Sequence, residues 1–408
     1  MTRVEKASSQ RLLVIGGGSA GIGVIASIKK RNTDITIILV EPQEYHYYQP
    51  AWTLVGGGVY DIEKTRRPMQ QVLPPGVTWI KDTVTRVKPD EKVVEIRSGD
   101  CISYDYLIVA SGLVLHWEKI IGLEETLGRN GVTSNYRFDL ASYTWDVVKN
   151  LKQGNAIFSQ PPAPIKCAGA PQKALYLSSD YWQRQRCLEN INVFFCLAGN
   201  TVFGIPEFVL PLQAQLKKYN ARVNYSHTLI RVEGEKRVAT FAVAGGEKEE
   251  VTLPFDMLHV VPPQSAPPFI ADSGLDDANG WCDVDKFTLQ HLRWPSIFSL
   301  GDCCSAPNAK TVAAVRKQIV IVANNLTSVM RGESPTSRYD GYGSCPLTVE
   351  RGKVVLAEFG YGNRLLPTFP LDPTRPSRFA WWLKVWFLPR FYWAGMLRGV
   401  EWLTRSKM

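Results

Sequence analysis

The chain has 408 residues, 45% of them hydrophobic and 21% charged, and its 47 Lys and Arg against 38 Asp and Glu give a net charge of +9. That length exceeds a single core and predicts two or three domains, and the average composition excludes collagenous, low-complexity and largely disordered proteins. The eight cysteines show no CxxC spacing, which excludes a zinc ribbon, and their sparseness excludes a secreted disulfide scaffold.

A short polar lead runs directly into the first apolar stretch without a secretory pattern, so the expected location is cytosolic or matrix-side. Residues 12–15 are apolar, GGGSAG follows at 16–21, and a helical pattern continues through Lys30. This is strand, turn and helix. The turn fits GxGxxG with Gly16, Gly18 and Gly21: one glycine for the tight turn, one for backbone approach to a pyrophosphate, one for helix packing. The helix N-terminus then faces the phosphates. The next predicted strand, residues 35–40, leads into Glu41, where an acidic side chain accepts hydrogen bonds from a ribose diol.

Two later segments, YLIVASG at 106–112 and IFSLGD at 297–302, resemble the FAD domain of the two-dinucleotide-binding flavoproteins. By that resemblance Asp302 contacts the ribityl chain of the flavin. Between them, an apolar strand at 190–197 leads into AGNTVFG, with Gly199 and Gly204 but no GxGxxG, and the strand at 221–225 ends in Asn-Tyr, with no acid. A second Rossmann-like domain without the NAD signature is predicted, and NAD(P)H is not the expected electron donor.

Residues 165–173 read IKCAGAPQK, and the apolar spacing of Ala174, Leu177 and Tyr181 predicts a helix with Pro171 in its first turn. Cys167 then precedes the positive helix end and adjoins Lys166, both of which favour a thiolate. Cys345 lies in DGYGSCPL, read as a turn-rich stretch. From the residues alone, buried thiols, a structural disulfide and a redox pair all stay open; closing a loop of about 180 residues would contribute roughly 5 kcal/mol in the chain-entropy model. Cys101, Cys187, Cys196 and Cys282 read as buried thiols, and no vicinal disulfide is expected at Cys303 and Cys304. The five histidines read as structural, and none has metal-ligand spacing.

From Arg375 onward there are seven basic residues and one acidic residue, Glu401, interleaved with aromatics. This pattern points to a membrane surface rather than to nucleic acid. Pro389 is expected to break the segment into two short helices. No apolar run is long enough to span a bilayer, so Trp381, Trp382, Trp386, Trp393 and Trp402 are placed at the interface, with Lys384, Arg390 and Arg398 snorkelling to headgroups. An amphipathic pair packed on its own domain or in an oligomer fits the same pattern.

Across nearly its whole length the chain resembles sulfide:quinone oxidoreductase of the short two-cysteine type that includes the mitochondrial enzymes. The resemblance rests on EPQEYHYYQPAWTLVGGG (41–58), NAIFSQPPAPIKCAGAPQK (155–173), MLHVVPPQSAPP (257–268), GWCDVDKFTLQH (280–291) and YDGYGSCPL (339–347). It implies Cys167 and Cys345 as the redox pair and Ser19, Ala20, Glu41, Gln49, Val84 and Asp302 as FAD contacts, with Lys310 near the flavin. It also implies hydrosulfide attack at Cys345, a persulfide there, and two electrons passed from Cys167 through FAD to a membrane quinone such as ubiquinone. The sulfur acceptor stays open among sulfite, glutathione, cyanide and sulfide, and so does the oligomeric state, a homo-oligomer included.

The expected fold is α/β: two tandem Rossmann-like dinucleotide-binding domains, the second inserted in the first, plus a C-terminal amphipathic membrane-binding segment. The FAD domain takes 10–115 and 282–340, the second domain 116–281, and the C-terminal region 341–408. The expected attachment is monotopic, on the cytoplasmic face of a bacterial inner membrane or the matrix side of the mitochondrial one. A type II NADH:quinone oxidoreductase and a non-catalytic membrane-associated flavoprotein are the alternatives.

Overall fold

The apolar residues 12–15 lie in the strand Arg11–Ile15, in the middle of a five-stranded parallel sheet. Its order is Ile297–Ser299, Tyr106–Val109, Arg11–Ile15, Thr36–Val40, Val77–Ile80. The structure is a computed structural model and describes residues 10–245, 249–402 and 404. Residues 1–9 of the polar lead, and 403 and 405–408 of the C-terminal segment, lie outside the described residues. Parallel strands covered on both faces need apolar side chains in both directions, which is why Leu12, Leu13 and Val14 are fully buried. Helix α1, Ser19–Lys29, leaves the carboxyl end of the first strand. The loops after residues 15, 40, 109 and 299 therefore open at one edge of the sheet, where open α/β sheets bind ligands.

A second parallel sheet runs Val132–Thr133, Met257–His259, Gly154–Gln160, Ile191–Leu197, Arg222–Asn224. Its glycine turn differs from the first in what fills it. Phe203 is buried, with its ring edge-on to Phe208 and Phe359, and Gln172 donates its side-chain amide to the Val202 carbonyl.

Helix α2, Ala170–Arg184, follows the strand Gly154–Gln160 and packs on the hairpin Gly343–Glu350 and Lys353–Phe359. Cys345 is therefore on a strand, paired with Ala357, and not in a turn. The two-stranded ribbon has edges on both sides, so Pro346 costs it no central ladder bond. Helix α3, Val312–Met330, capped by the Thr311 hydroxyl, packs beside α1.

Pro389 does not break the C-terminal segment. Arg378–Trp382, a π turn over Leu383–Phe387 and Leu388–Ala394 form one continuous helical run. The wider turn absorbs the proline, whose missing N–H and ring would otherwise clash with the preceding turn. Among the described residues no helix is long and apolar enough to cross a membrane.

Candidate active site

The loops at the carboxyl edge of the first sheet open into a cavity of about 460 Å³. Gly16, Gly18, Ser19, Ala20, Glu41, Gln49, Cys167, Asp302 and Lys310 all line it. Of the other predicted site residues, Gly21 packs inward, its missing Cβ position 1.8 Å from the Gly16 carbonyl oxygen. Val84 is buried among Leu13, Ile15 and Val109, away from the cavity lining, and Cys345 lies behind Cys167.

The glycine loop is shaped for a dinucleotide. A side chain on Gly16 would meet the Ala110 carbonyl oxygen at 2.4 Å, whereas nothing lies within 4 Å of a Cβ on Gly18, leaving its backbone open to approach. Glu41 accepts from the Gly17 and Gln43 backbone N–H groups at 2.6 and 2.7 Å, and burial raises its carboxyl above the ordinary value despite them. Thr53, Ser111 and Asn135 line the cavity with buried polar atoms that have no protein partner among the described residues. Such groups need a polar ligand. The residues fit a dinucleotide cofactor.

On the wall of the same cavity Cys167 meets the buried Cys345, although 178 residues separate them. Their sulfurs are 3.4 Å apart, both as free thiols. Cys167 has a left-handed backbone (φ 50) at the start of a tight turn, a conformation uncommon for a side-chain-bearing residue. Its N–H bonds Lys310 O at 3.1 Å, and Ala170 N–H bonds its carbonyl at 2.7 Å. Gly169, the residue before α2, allows the approach of the other sulfur: a Cβ there would lie 2.7 Å from Cys345 Sγ and 2.3 Å from Leu347 Cδ2.

The charge beside Cys167 is not the predicted one. Lys166 turns away to Asp302, with Nζ 2.7 Å from Oδ2, because its segment is bridged to Lys310 and neighbouring side chains point to opposite sides. Lys173, in the first turn of α2, donates to Cys167 Sγ at 3.0 Å instead. The hydrogen bond from Cys345 and the Lys173 ammonium hold the Cys167 thiol well below the usual cysteine value, against burial. Cys345 moves the opposite way, raised by its bond to Cys167 and by burial. In the reduced pair the Lys173 ammonium favours negative charge on Cys167 and leaves the proton to Cys345.

Lys384 also corrects the sequence reading. It is buried, donates to the Pro346 carbonyl at 2.8 Å, and does not snorkel outward; burial, then the Lys173 charge, push it well below the usual lysine value. Trp393 is likewise buried, edge-on to His46 and under Arg67. Lys310 spends its amine on the Asp302 and Cys304 carbonyls and lies 3.7 Å from the Trp281 ring centroid.

A Rossmann cradle sharing one cavity with the outer thiol of a cysteine pair defines the class: a flavin-dependent oxidoreductase with a pyridine nucleotide-disulphide oxidoreductase fold, whose family model matches residues 10–160. The chain is 40% identical to the mitochondrial sulfide:quinone oxidoreductase of Dictyostelium discoideum over 98% of its own length and 88% of that protein. The mouse mitochondrial sulfide:quinone oxidoreductase is 41% identical, covering 95% of this chain and 86% of its own. The solved sulfide:quinone oxidoreductase of Aquifex aeolicus superposes with a TM-score of 0.79 at 19% identity, over 98% of this chain and 96% of that one. The chain belongs to the sulfide:quinone oxidoreductase family.

Proposed function

We propose that this protein oxidises hydrogen sulfide to sulfane sulfur at Cys167 and Cys345 and delivers two electrons, through FAD held by the glycine loop, to a membrane quinone. The observation that carries the reading is the 3.4 Å approach of the two sulfurs with Cys167 alone on the cavity wall. Starting from the Cys167–Cys345 disulfide, hydrosulfide attacks the Cys345 sulfur. The S–S bond breaks, Cys345 carries the persulfide and Cys167 leaves as the thiolate. Cys167 is suited to leave because Lys173 stabilises its charge. A sulfur acceptor, whether sulfite, glutathione, cyanide or sulfide, takes the outer sulfur from Cys345, and re-forming the disulfide releases two electrons on the cavity side. The bound flavin supplies the two-electron acceptor that a quinone can reoxidise.

Gly16, Gly18, Ser19, Ala20 and Glu41 hold the dinucleotide on the turn that Gly21 packs from beneath, Asp302 and Lys310 face its flavin end, and Gln49 lines the same cavity. Val84 supports the sheet beneath. The FAD domain is assigned to 10–115 and 282–340, the second Rossmann-like domain to 116–281, and the region after 341 to the redox cysteine and membrane attachment.

The quinone arm of the cavity is lined by Phe369, Leu383, Phe387, Leu388 and Phe391 and reaches Trp402. Around that mouth Phe379, Trp382, Trp386 and Trp402 are 42, 49, 53 and 47% exposed. This aromatic face supports monotopic attachment that lets an isoprenoid tail enter without crossing water. The mitochondrial names of the Dictyostelium and mouse relatives favour the inner mitochondrial membrane over a bacterial cytoplasmic face.

Steady-state turnover with sulfide and a short-chain quinone tests the reading. Flavin reduction by NADH faster than by sulfide would return the type II NADH:quinone oxidoreductase, and turnover with neither would leave a non-catalytic flavoprotein.

A further inference from the structure

The segment after residue 391 lies along α1, in step with it. Ser19 Oγ is 2.7 Å from the Tyr392 hydroxyl. At Gly23 a Cβ would come within 3.9 Å of Met396 Cε, and at Gly399 one would lie 2.9 Å from the Ala26 carbonyl oxygen. Ser27 Oγ donates to Glu401 Oε1 at 2.6 Å, and Arg31 grips both Glu401 oxygens at 2.6 and 3.0 Å. The pairs 19/392, 23/396 and 26/399 advance by equal steps of four and then three, so the two stretches run in the same direction, turn against turn.

The first of these contacts reaches the glycine loop. His46 is buried, with Nδ1 2.8 Å from the Gly17 carbonyl oxygen and Nε2 2.5 Å from the Tyr392 hydroxyl. Burial holds His46 down to about 4, so it is neutral near pH 7 and carries one ring N–H. The Gly17 carbonyl only accepts, which puts that N–H on Nδ1 and leaves Nε2 to accept from Tyr392. Tyr392, having given its only proton to His46, accepts from the Ser19 hydroxyl. The chain of donors is fully determined: Ser19 to Tyr392, Tyr392 to His46, His46 to Gly17. Gly17 and Ser19 flank Gly18, where the backbone is open to the pyrophosphate.

We propose that Tyr392 is a positioning residue for flavin retention: through His46 and Ser19 it fixes the loop that holds the pyrophosphate, so the segment bearing the membrane-facing tryptophans is also a wall of the cofactor site. This rests on the reading that the loop binds FAD. It follows that deleting residues 379–408 removes cofactor and membrane binding together and cannot separate them.

The test is release of FAD from the purified yellow holoenzyme on dilution, followed by the rise of free flavin fluorescence. Tyr392→Phe keeps the ring and removes only the hydroxyl; release is expected to be about tenfold faster, the size of one lost buried hydrogen bond. The control is Tyr339→Phe, which removes an equally buried hydroxyl in the same core, bonded to the Tyr342 carbonyl and Asn308, and is expected to stay within about twofold of wild type. In Ser19→Ala/Tyr392→Phe the two effects should be less than additive. Wild-type release in Tyr392→Phe, or equal acceleration in both tyrosine variants, overturns the proposal. If Tyr392→Phe does not fold, His46→Gln, which breaks the link between Tyr392 and the Gly17 carbonyl, carries the test with the same expectation and the same overturning result. A folded wild-type protein that carries no FAD refutes the cofactor reading itself.

Discussion

Lys173 Nζ lies 3.0 Å from Cys167 Sγ, donated from the first turn of the helix that Cys167 precedes. An ammonium at that distance favours the thiolate, and it does so in a site where a second lysine, Lys384, is already held well below its usual value by burial and by Lys173 itself. One full positive charge and one weakened lysine face the sulfur pair.

Replacing Lys173 by Met should therefore raise the Cys167 pKa. The thiolate is present above the folded pKa and lost below it, so a raised pKa moves the acid limb of sulfide-dependent flavin reduction to higher pH. We expect the limb to lie at higher pH in the variant than in wild type, with reduction recovered on the alkaline side. Stopped-flow reduction across pH measures it; an acid limb at the wild-type position would remove Lys173 from the chemistry.

Gly169→Ala places a methyl group where Cys345 Sγ and Leu347 Cδ2 now stand. Overpacking of this kind costs about 1–3 kcal/mol and should drive the sulfurs apart. The expected result is at least about a tenfold loss of sulfide turnover with bound flavin retained, since a 1.4 kcal/mol barrier change is a factor of ten. Flavin absorbance and sulfide turnover on the same preparation distinguish this from misfolding.

Glu358 is buried on the cavity wall, where Tyr342 Oη and Thr368 Oγ1 both donate to Oε1 at 2.5 Å and the Thr368 N–H donates to Oε2 at 3.0 Å. Glu358→Gln brings an NH₂ group against donors, so at least one buried donor loses its acceptor. Destabilisation of about 1–3 kcal/mol is expected, read as a lower urea midpoint at unchanged slope. An unchanged midpoint would mean that the network reorganises without loss.

Trp382→Ser with Trp386→Ser removes two half-exposed indoles from the aromatic face while leaving α1 and its partners untouched. Liposome flotation should weaken by about tenfold or more, the equivalent of ~1.4 kcal/mol of apolar burial. Flotation equal to wild type would leave the aromatic face to another use.

Much of the cofactor site was readable because its determinants are local. Gly16, Gly18 and Gly21 follow one strand within six positions, and Glu41 follows the next, so an open glycine loop with a carboxylate beside it follows from spacing alone. The meeting of Cys167 and Cys345 was not local; it rested on family resemblance, because no periodicity links residues 178 positions apart. Lys384 and Trp393 were read outward, since a lysine among tryptophans matches an interfacial helix. The π turn changes the phase of the helical face, so that Lys384 and Trp393 point inward while Trp382 and Trp386 point out. The sequence points to Lys166 because it adjoins Cys167, but adjacency along the chain is not adjacency in space: Lys166 reaches Asp302, and Lys173, six residues on, reaches the sulfur.

Anaerobic titration of the holoenzyme with sulfide, in wild type and in Cys167→Ser and Cys345→Ser, tests the central claim most directly. The account predicts stoichiometric bleaching of the wild-type flavin and, in each serine variant, a bound flavin that sulfide leaves oxidised. Full bleaching in both variants would contradict it.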